Sequence, residues 1–203
     1  AEVDGALTIK GSAGGDTITA GDGTATITGG AGDDGITLDG DAIIKFSGLT
    51  TATNGSDTIG TFNTGDIYNF ADVLTSGSIS NTTSGTAITL ASTTALATEG
   101  TSIPVATNKV YLAEVALKAG IDTAAEIVTA LTDTGVLDAV DFAASATSIL
   151  VVGGADDDLT HYIYGITNDA TAAIATGEVV LLGTVTTDIT GGMDGLLTTN
   201  FGF

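Results

Sequence analysis

Apolar residues recur at a fixed nine-residue interval at the start of the chain. The recurring residue is isoleucine, at Ile9, Ile18, Ile27 and Ile36. The units that carry it read EVDGALTIK, GSAGGDTIT, AGDGTATIT and GGAGDDGIT, from residue 2 to residue 37. A short fixed period of this kind is typical of repetitive, coiled architectures.

Each nine-residue unit divides into a turn and a short strand. The first six residues are rich in glycine, which readily adopts the positive φ angles of tight turns. The last three, Thr-Ile-Thr at residues 17–19, place one β-branched apolar side chain between two polar ones, as in a half-buried strand. The alternation of strand and turn predicts a coil of parallel strands.

The unit at residues 29–37 matches the nonapeptide GGxGxDxUx at every defined position. The unit at 11–19 departs from it only at Ser12, and the unit at 20–28 has Ala20 and Ala25 in place of Gly and Asp. This region therefore resembles the hemolysin-type, or RTX, calcium-binding repeats of bacterial surface proteins exported by type I secretion, such as S-layer proteins and adhesins. In that family an 18-residue coil contains two nonapeptides, and turns two units apart share a calcium ion.

The resemblance implies a calcium site between the turns that contain Asp16 and Asp34. The backbone carbonyl groups that would complete it are those of Gly11, Ala13, Gly30 and Gly32. Such an all-oxygen set suits Ca²⁺, which is a hard cation that takes six or more oxygen ligands.

The opposite edge of the coil is a weaker candidate, because Ala25 cannot be a ligand. The acidic residues that cluster near it are Asp4, Asp22, Asp39 and Asp41. Gly and Asp also mark ordinary surface turns. For these four aspartates a turn role alone is the preferred interpretation, whereas for Asp16 and Asp34 calcium binding is preferred.

Residues 55–74 read GSDTIGTFNTGDIYNFADVL and resemble the segment that closes RTX coils. The large apolar side chains expected to cover the open end of the coil are Ile59, Phe62, Ile67 and Phe70. The acidic residues of this segment are Asp57, Asp66 and Asp72. We interpret them as turn and cap residues rather than as ligands of a further ion.

The whole chain is predicted to be mostly β. A short calcium-binding parallel β-roll with its closing cap (1–74) precedes a Ser/Thr/Ala-rich strand region (75–108) and a small α+β C-terminal domain (109–203). In that domain, alternation predicts strands at 109–115 and 160–167, and the apolar runs at 148–154 and 178–185 predict two more.

Two helices and a hairpin complete the prediction for the C-terminal domain. The first helix is capped by Asp122 or Thr123 and runs through 124–131, and a second covers 135–142. The acidic turn at 155–158 joins two strands as a hairpin. The aromatic end, 200–203, resembles the uncleaved signal for type I export.

Charge and composition exclude several classes of binding partner. The 203 residues include 25 acidic residues, four lysines and no arginine, so the formal net charge is −21. This excludes nucleic acids, whose binding needs clustered cations, and anionic membrane surfaces. No apolar run is long enough to predict a membrane-spanning segment. The chain has no cysteine, so calcium replaces disulfides as the expected source of extracellular stability.

No catalytic motif occurs, and the only histidine, His161, lies within a predicted strand. We therefore expect no enzyme. The expected function is that of a secreted, calcium-dependent structural protein of the bacterial cell surface, which self-assembles into an S-layer or filament. Lipopolysaccharide or another envelope glycan would be its anchor. The alternative is a folding and secretion module of an RTX adhesin or secreted enzyme whose passenger lies upstream.

Overall fold

The structure is a computed structural model, and part of the chain is described here. The described residues are 7–74, 77–79, 91–92, 103–105, 107–115, 121–132, 137, 140–154, 159–169 and 174–203. They form sixteen strands, one α-helix and three short 3₁₀ turns. The protein is mostly β, as the sequence predicts.

The repeats and the closing segment form seven short strands. They are β1 (Leu7–Lys10), β2 (Thr17–Thr19), β3 (Ala25–Thr28), β4 (Gly35–Thr37), β5 (Ala42–Lys45), β6 (Asp57–Phe62) and β7 (Ile67–Asn69). Odd-numbered strands lie in one sheet and even-numbered strands in another, and all neighbours are parallel. Ile9 lies opposite Ile27, and Ile18 opposite Ile36, so strands two units apart are neighbours.

Nine strands and the helix follow. They are β8 (Ser78–Ile79), β9 (Ala91–Ser92), β10 (Ile103–Val105), β11 (Lys109–Val115), α1 (Ala124–Ala130), β12 (Val140–Phe142), β13 (Thr147–Gly154), β14 (Thr160–Thr167), β15 (Val179–Thr187) and β16 (Phe201–Gly202). The 3₁₀ turns are Thr176–Glu178, Gly192–Gly195 and Thr198–Asn200.

The four strands predicted in the C-terminal region are confirmed as β11, β13, β14 and β15. The first predicted helix is α1, and Thr123 is its N-cap: Thr123 and Glu126 exchange side-chain-to-backbone hydrogen bonds in a capping box. β13 and β14 are antiparallel, as the hairpin prediction requires, although the acidic turn at 155–158 lies outside the described residues.

The prediction of a second helix over 135–142 is wrong at its end. Residues 140–142 are strand β12, which pairs in parallel with β10. Val140 and Phe142 are buried while Asp141 is exposed, which is the two-residue period of a strand rather than the period of a helix. The prediction's other residues, Leu137 excepted, lie outside the described part of the chain.

The even-numbered sheet continues into the C-terminal region. β6 pairs in parallel with β15, which is followed by antiparallel β14 and β13 and then by parallel β11. β8 and β9 both pair with β11, which completes a nine-stranded sheet. β16 pairs with β7 and completes a five-stranded sheet.

The nine-stranded sheet has a hydrophobic core on each face. One face packs against the five-stranded sheet, and this core combines repeat residues such as Ile18 and Ile36 with C-terminal residues such as Ile163 and Val185. The other face packs against α1, whose Ile127 is fully buried. The repeats thus share a core with the C-terminal region. No helix among the described residues is both long and apolar enough to cross a membrane.

Large side chains fill the last coil. Ile59, Phe62 and Phe70 are fully buried, as predicted, but Ile67 is only half-buried and Tyr68 takes the inward position. The pairing explains this correction, because Tyr68 lies opposite the buried Ile44 and so shares its face.

The single histidine belongs to this core. Tyr68 stacks on Phe62 with ring centroids 4.1 Å apart, and its hydroxyl is hydrogen-bonded to His161 Nε2 at 2.7 Å. His161 is fully buried on β14. The residue therefore joins the last coil to the C-terminal strands.

Candidate metal centre

The turns of the repeat region stack along two edges. We use the name aspartate edge for the turns at 11–16 and 29–34 together with residues 54–57. These three segments lie at the starts of β2, β4 and β6. The opposite edge consists of residues 20–24, 38–41 and 63–66, which lead into β3, β5 and β7. The two sets alternate along the chain because each coil has one turn on each side.

The glycines of the aspartate edge are required by backbone conformation and by close approach. Gly30, Gly32 and Gly55 have φ angles of 117°, 100° and 74°, which favour glycine. A Cβ atom on Gly30 would overlap the carbonyl oxygen of Ser12, and one on Gly55 would overlap that of Gly32. Backbone carbonyl oxygens of one turn therefore face the backbone of the next.

Three aspartates form a column on this edge. The backbone N–H of Asp16 donates to Asp34 Oδ1 at 2.8 Å, and the N–H of Asp34 donates to Asp57 Oδ1 at 3.2 Å. The carboxylates of Asp34 and Asp57 thereby cap the starts of β2 and β4, each the preceding strand in the stack. The structure brings the predicted pair Asp16 and Asp34 together on neighbouring turns and adds Asp57 to it.

Two of the three aspartates of the column are buried. Asp16 is half-buried, while Asp34 and Asp57 are 2% and 3% exposed. Asp34 Oδ2 receives no hydrogen bond from any described residue. A buried carboxylate oxygen without a donor or a counter-charge is costly.

The pKa of Asp57 also indicates that the column lacks a positive charge. Burial raises the pKa of Asp57 to about 7. The N–H of Asp34 lowers that pKa, and the negative charges of Asp34 and Asp33 raise it further. A nearby cation would reverse this trend by favouring the ionised carboxylates.

The predicted carbonyl ligands lie in the same two stacked turns. A Cβ on Gly11 would overlap the carbonyl oxygen of Gly29 and stand 2.8 Å from Asp16 Oδ2, and one on Gly32 would stand 2.8 Å from the carbonyl carbon of Gly14. Ala13 is exposed in the first turn. The described residues include no group of three or more His, Cys, Asp or Glu side chains arranged to hold a metal. The predicted set has two carboxylates, and its other ligands are carbonyl groups.

The residues of this edge fit a hard cation. The fit rests on the buried Asp34 Oδ2, which has no donor among the described residues, and on the carbonyl oxygens of the same stacked turns, which approach neighbouring backbone closely. These are oxygen donors of the type that Ca²⁺ prefers. Coordination by the individual carbonyl groups stays a prediction.

On the opposite edge, Asp22, Asp39 and Asp41 are exposed, and Asp4 lies outside the described residues. The buried carboxylate there is Asp66, which is fully enclosed. Its Oδ1 accepts from the N–H of Ala42 and its Oδ2 from the N–H of Asn63, both at 2.7 Å.

Asp66 thus has the cap role interpreted from the sequence. Burial raises its pKa, and the two backbone N–H groups oppose that shift. Asn200, near the end of the chain, donates to the carbonyl oxygens of Thr64 at 3.1 Å and Asp66 at 2.8 Å. Protein groups alone therefore satisfy both oxygens of the Asp66 carboxylate.

The sequence missed two residues of the aspartate edge as site residues, Asp57 and Asn54. Asn54 is 3% exposed, and its Nδ2 lies 3.4 Å from Asp57 Oδ2 and 3.3 Å from the carbonyl oxygen of Leu182 on β15. The Gly-Ser-Asp sequence at 55–57 was the signal that could have identified Asp57 as a site residue. The longer interval of 23 positions between Asp34 and Asp57 concealed their common register.

No protein-family model matches the chain, and no curated protein or solved structure matches it either.

Proposed function

We propose that this protein is a calcium-dependent, non-enzymatic structural protein of the bacterial cell surface that assembles into an S-layer or filament. Its first part would be a calcium-binding parallel β-roll. The observation that carries the proposal is Asp34, a fully enclosed carboxylate with one oxygen lacking a donor among the described residues, set in a column of aspartates.

The arrangement of strands supports a β-roll. Strands 18 positions apart pair in parallel in both sheets, as with Ile9 opposite Ile27. This places one glycine-rich turn directly over another at each edge. A bound Ca²⁺ would neutralise the carboxylates and link successive turns. The chain's own residues contribute the close approach, through Gly30, Gly32 and Gly55, and the buried negative charge.

The overall charge supports calcium-driven assembly. With a net charge of −21, copies of the chain repel one another at low ionic strength, and every bound Ca²⁺ removes two negative charges. β1 and β2 are edge strands of their sheets among the described residues. Edge strands offer backbone groups for pairing with another chain, and head-to-tail contacts that do not close generate arrays.

Calcium addition to purified, chelator-treated protein tests the assembly. Negative-stain microscopy should reveal sheets or filaments with Ca²⁺, and none with the same concentration of Mg²⁺, which holds its hydration water more strongly. A soluble, folded monomer at high protein and calcium concentration would instead favour the folding and secretion module of an adhesin or secreted enzyme. Cosedimentation of the assembled protein with lipopolysaccharide then tests the proposed envelope anchor.

A further inference from the structure

The first two turns of the aspartate edge differ at one functional position. In the first turn, Ser12 donates to Asp16 Oδ2 from its N–H at 2.6 Å and from its hydroxyl at 3.0 Å. In the second turn the equivalent residue is Gly30, which has no hydroxyl group. Accordingly, Asp34 Oδ2 lacks a donor among the described residues.

The Oδ2 atoms of the column lie in two equivalent groups of atoms, each beside a glycine. A Cβ on Gly29 would overlap Asp34 Oδ2 and stand 3.2 Å from Asp57 Oδ2. A Cβ on Gly11 would instead stand 2.8 Å from Asp16 Oδ2 and overlap the carbonyl oxygen of Gly29. We call these the inner cradle (Gly29, Asp34, Asp57) and the outer cradle (Gly11, Asp16 and the Gly29 carbonyl).

We propose that the inner cradle is the tight position for a hard divalent cation, Ca²⁺, and that Ser12 keeps the outer cradle weak. The proposal rests on the calcium-binding function argued above, and it states which of the two cradles binds Ca²⁺ more tightly. It moves the main site from the predicted pair Asp16 and Asp34 to the pair Asp34 and Asp57.

Charge and hydrogen bonding separate the two cradles. A cation in the inner cradle meets two carboxylates, and one of their oxygens has no competing donor among the described residues. A cation in the outer cradle meets one carboxylate and must compete with the Ser12 hydroxyl and N–H for the same oxygen. Affinity for Ca²⁺ rises with the number of charged ligands and the rigidity of the site.

Asn54 is a positioning residue for the inner cradle. Its Nδ2 lies within hydrogen-bond range of Asp57 Oδ2 and of the Leu182 carbonyl oxygen, and its Oδ1 accepts from the N–H of Ser47 at 3.3 Å. It therefore holds the third carboxylate of the column against strand β15. The Asn54 contact with Asp57 Oδ2 is longer, at 3.4 Å, than the contacts of 2.6 and 3.0 Å that Ser12 makes with Asp16 Oδ2. Asn54 therefore orients Asp57 while competing less with a cation for the carboxylate oxygen.

Calorimetric titration of chelator-treated protein with CaCl₂ tests whether the inner cradle binds Ca²⁺ more tightly than the outer cradle. Wild type should bind in one tight and one weak step. Asp57→Asn should weaken the tight step on the order of 100-fold, whereas Asp16→Asn should leave it unchanged and abolish the weak step. Ser12→Ala should strengthen the weak step by about tenfold, because it removes the competing hydroxyl from an exposed turn.

The outcomes separate this inference from the proposed function. If wild type binds no calcium, the proposed function fails. If it binds calcium but Asp57→Asn retains the tight step, or Asp16→Asn and Asp57→Asn lose it equally, only the order of the cradles is overturned. Should Asp57→Asn fail to fold, Ser12→Ala decides alone: an unchanged or weaker second step contradicts the inference.

Discussion

Asp66 on the opposite edge and Asp34 on the aspartate edge are almost equally buried, yet their surroundings differ. Both oxygens of Asp66 accept backbone N–H groups. Asp34 has such a bond only at Oδ1, from Asp16, and shares its surroundings with Asp57 and Asp33. The Asp66 carboxylate therefore has a donor at each oxygen, whereas Asp34 Oδ2 has none among the described residues.

This difference localises the expected metal dependence to one side of the coils. A carboxylate that caps backbone N–H groups stabilises the fold without any ion. A cluster of buried carboxylates without a counter-charge opposes folding until a cation binds. Calcium should therefore act mainly through the aspartate edge, and the predictions below separate the two edges.

Calcium removal should have the largest effect. Chelation with EGTA should reduce the β-sheet circular dichroism of the repeat region without fully unfolding it, because its glycine-rich turns carry a high entropy cost while its isoleucines stay in the shared core. The C-terminal region has a second core, which includes Tyr111 and Tyr164, so its near-ultraviolet signal should persist longer. A far-ultraviolet spectrum unchanged by EGTA would contradict this prediction.

Light scattering in the same titration separates assembly from folding. Polymer should dissolve before the near-ultraviolet signal is lost. Disassembly that requires melting of the C-terminal region would mean that calcium does not hold copies together.

The pH dependence of the metal-free protein should reflect Asp57. Its pKa is about 7 in the folded protein, above the ordinary 3.8, so the folded state binds more protons between these values. The contribution of Asp57 to stability is therefore fully present below about pH 4 and is lost, by up to about 4 kcal/mol, as pH rises through 7. Urea unfolding across this range measures the slope.

Asp57→Asn provides the control for the pH experiment, because it removes one titrating group and should reduce the slope to the part contributed by other raised carboxyl groups such as Asp66. Saturating calcium should also remove or reverse it, since metal binding requires the ionised carboxylate. A slope that is the same in Asp57→Asn as in wild type would assign the effect to other groups.

Substitution of the two buried aspartates should have opposite consequences without calcium. Asp66→Asn should destabilise the protein by about 1–3 kcal/mol with or without calcium, because one backbone N–H loses its acceptor. Asp34→Asn should destabilise only the calcium-loaded protein, and should stabilise the chelated protein by removing a buried charge. Urea denaturation of both variants in CaCl₂ and in EGTA tests this; matching responses of the two would remove the distinction between the edges.

The smallest effect is expected at Asp22. It is exposed on the opposite edge, so Asp22→Ala should change calcium affinity much less than Asp34→Ala. Calorimetry on the two variants under identical conditions is the measurement. A loss at Asp22 as large as that at Asp34 would place a functional site on the opposite edge.

Much of the local structure could be predicted because local patterns determine it. The alternation in residues 160–167 gave the bounds of β14, and the Thr123 cap gave the start of α1. The nonapeptide likewise predicted that Asp16 and Asp34 occupy neighbouring turns. These features depend on residues only a few positions apart, or on a repeat of constant length.

The features that could not be predicted depend on distant contacts or on a break in the repeat. The pairing of β6 with β15 joins residues more than a hundred positions apart, and no local pattern encodes it. The longer segment before Asp57 shifted the register from 18 positions to 23. The inward position of Tyr68, rather than Ile67, follows from its pairing opposite Ile44.

The place of β16 beside β7 affects the order in which the protein folds. Asn200 is bonded to the carbonyl oxygen of Asp66, which lies 134 positions earlier, and Phe201 pairs with Tyr68. The five-stranded sheet cannot be completed until residues 200–202 have been synthesised, and contacts of such long sequence separation form slowly. The repeat region therefore cannot reach its native structure while only its own residues are available.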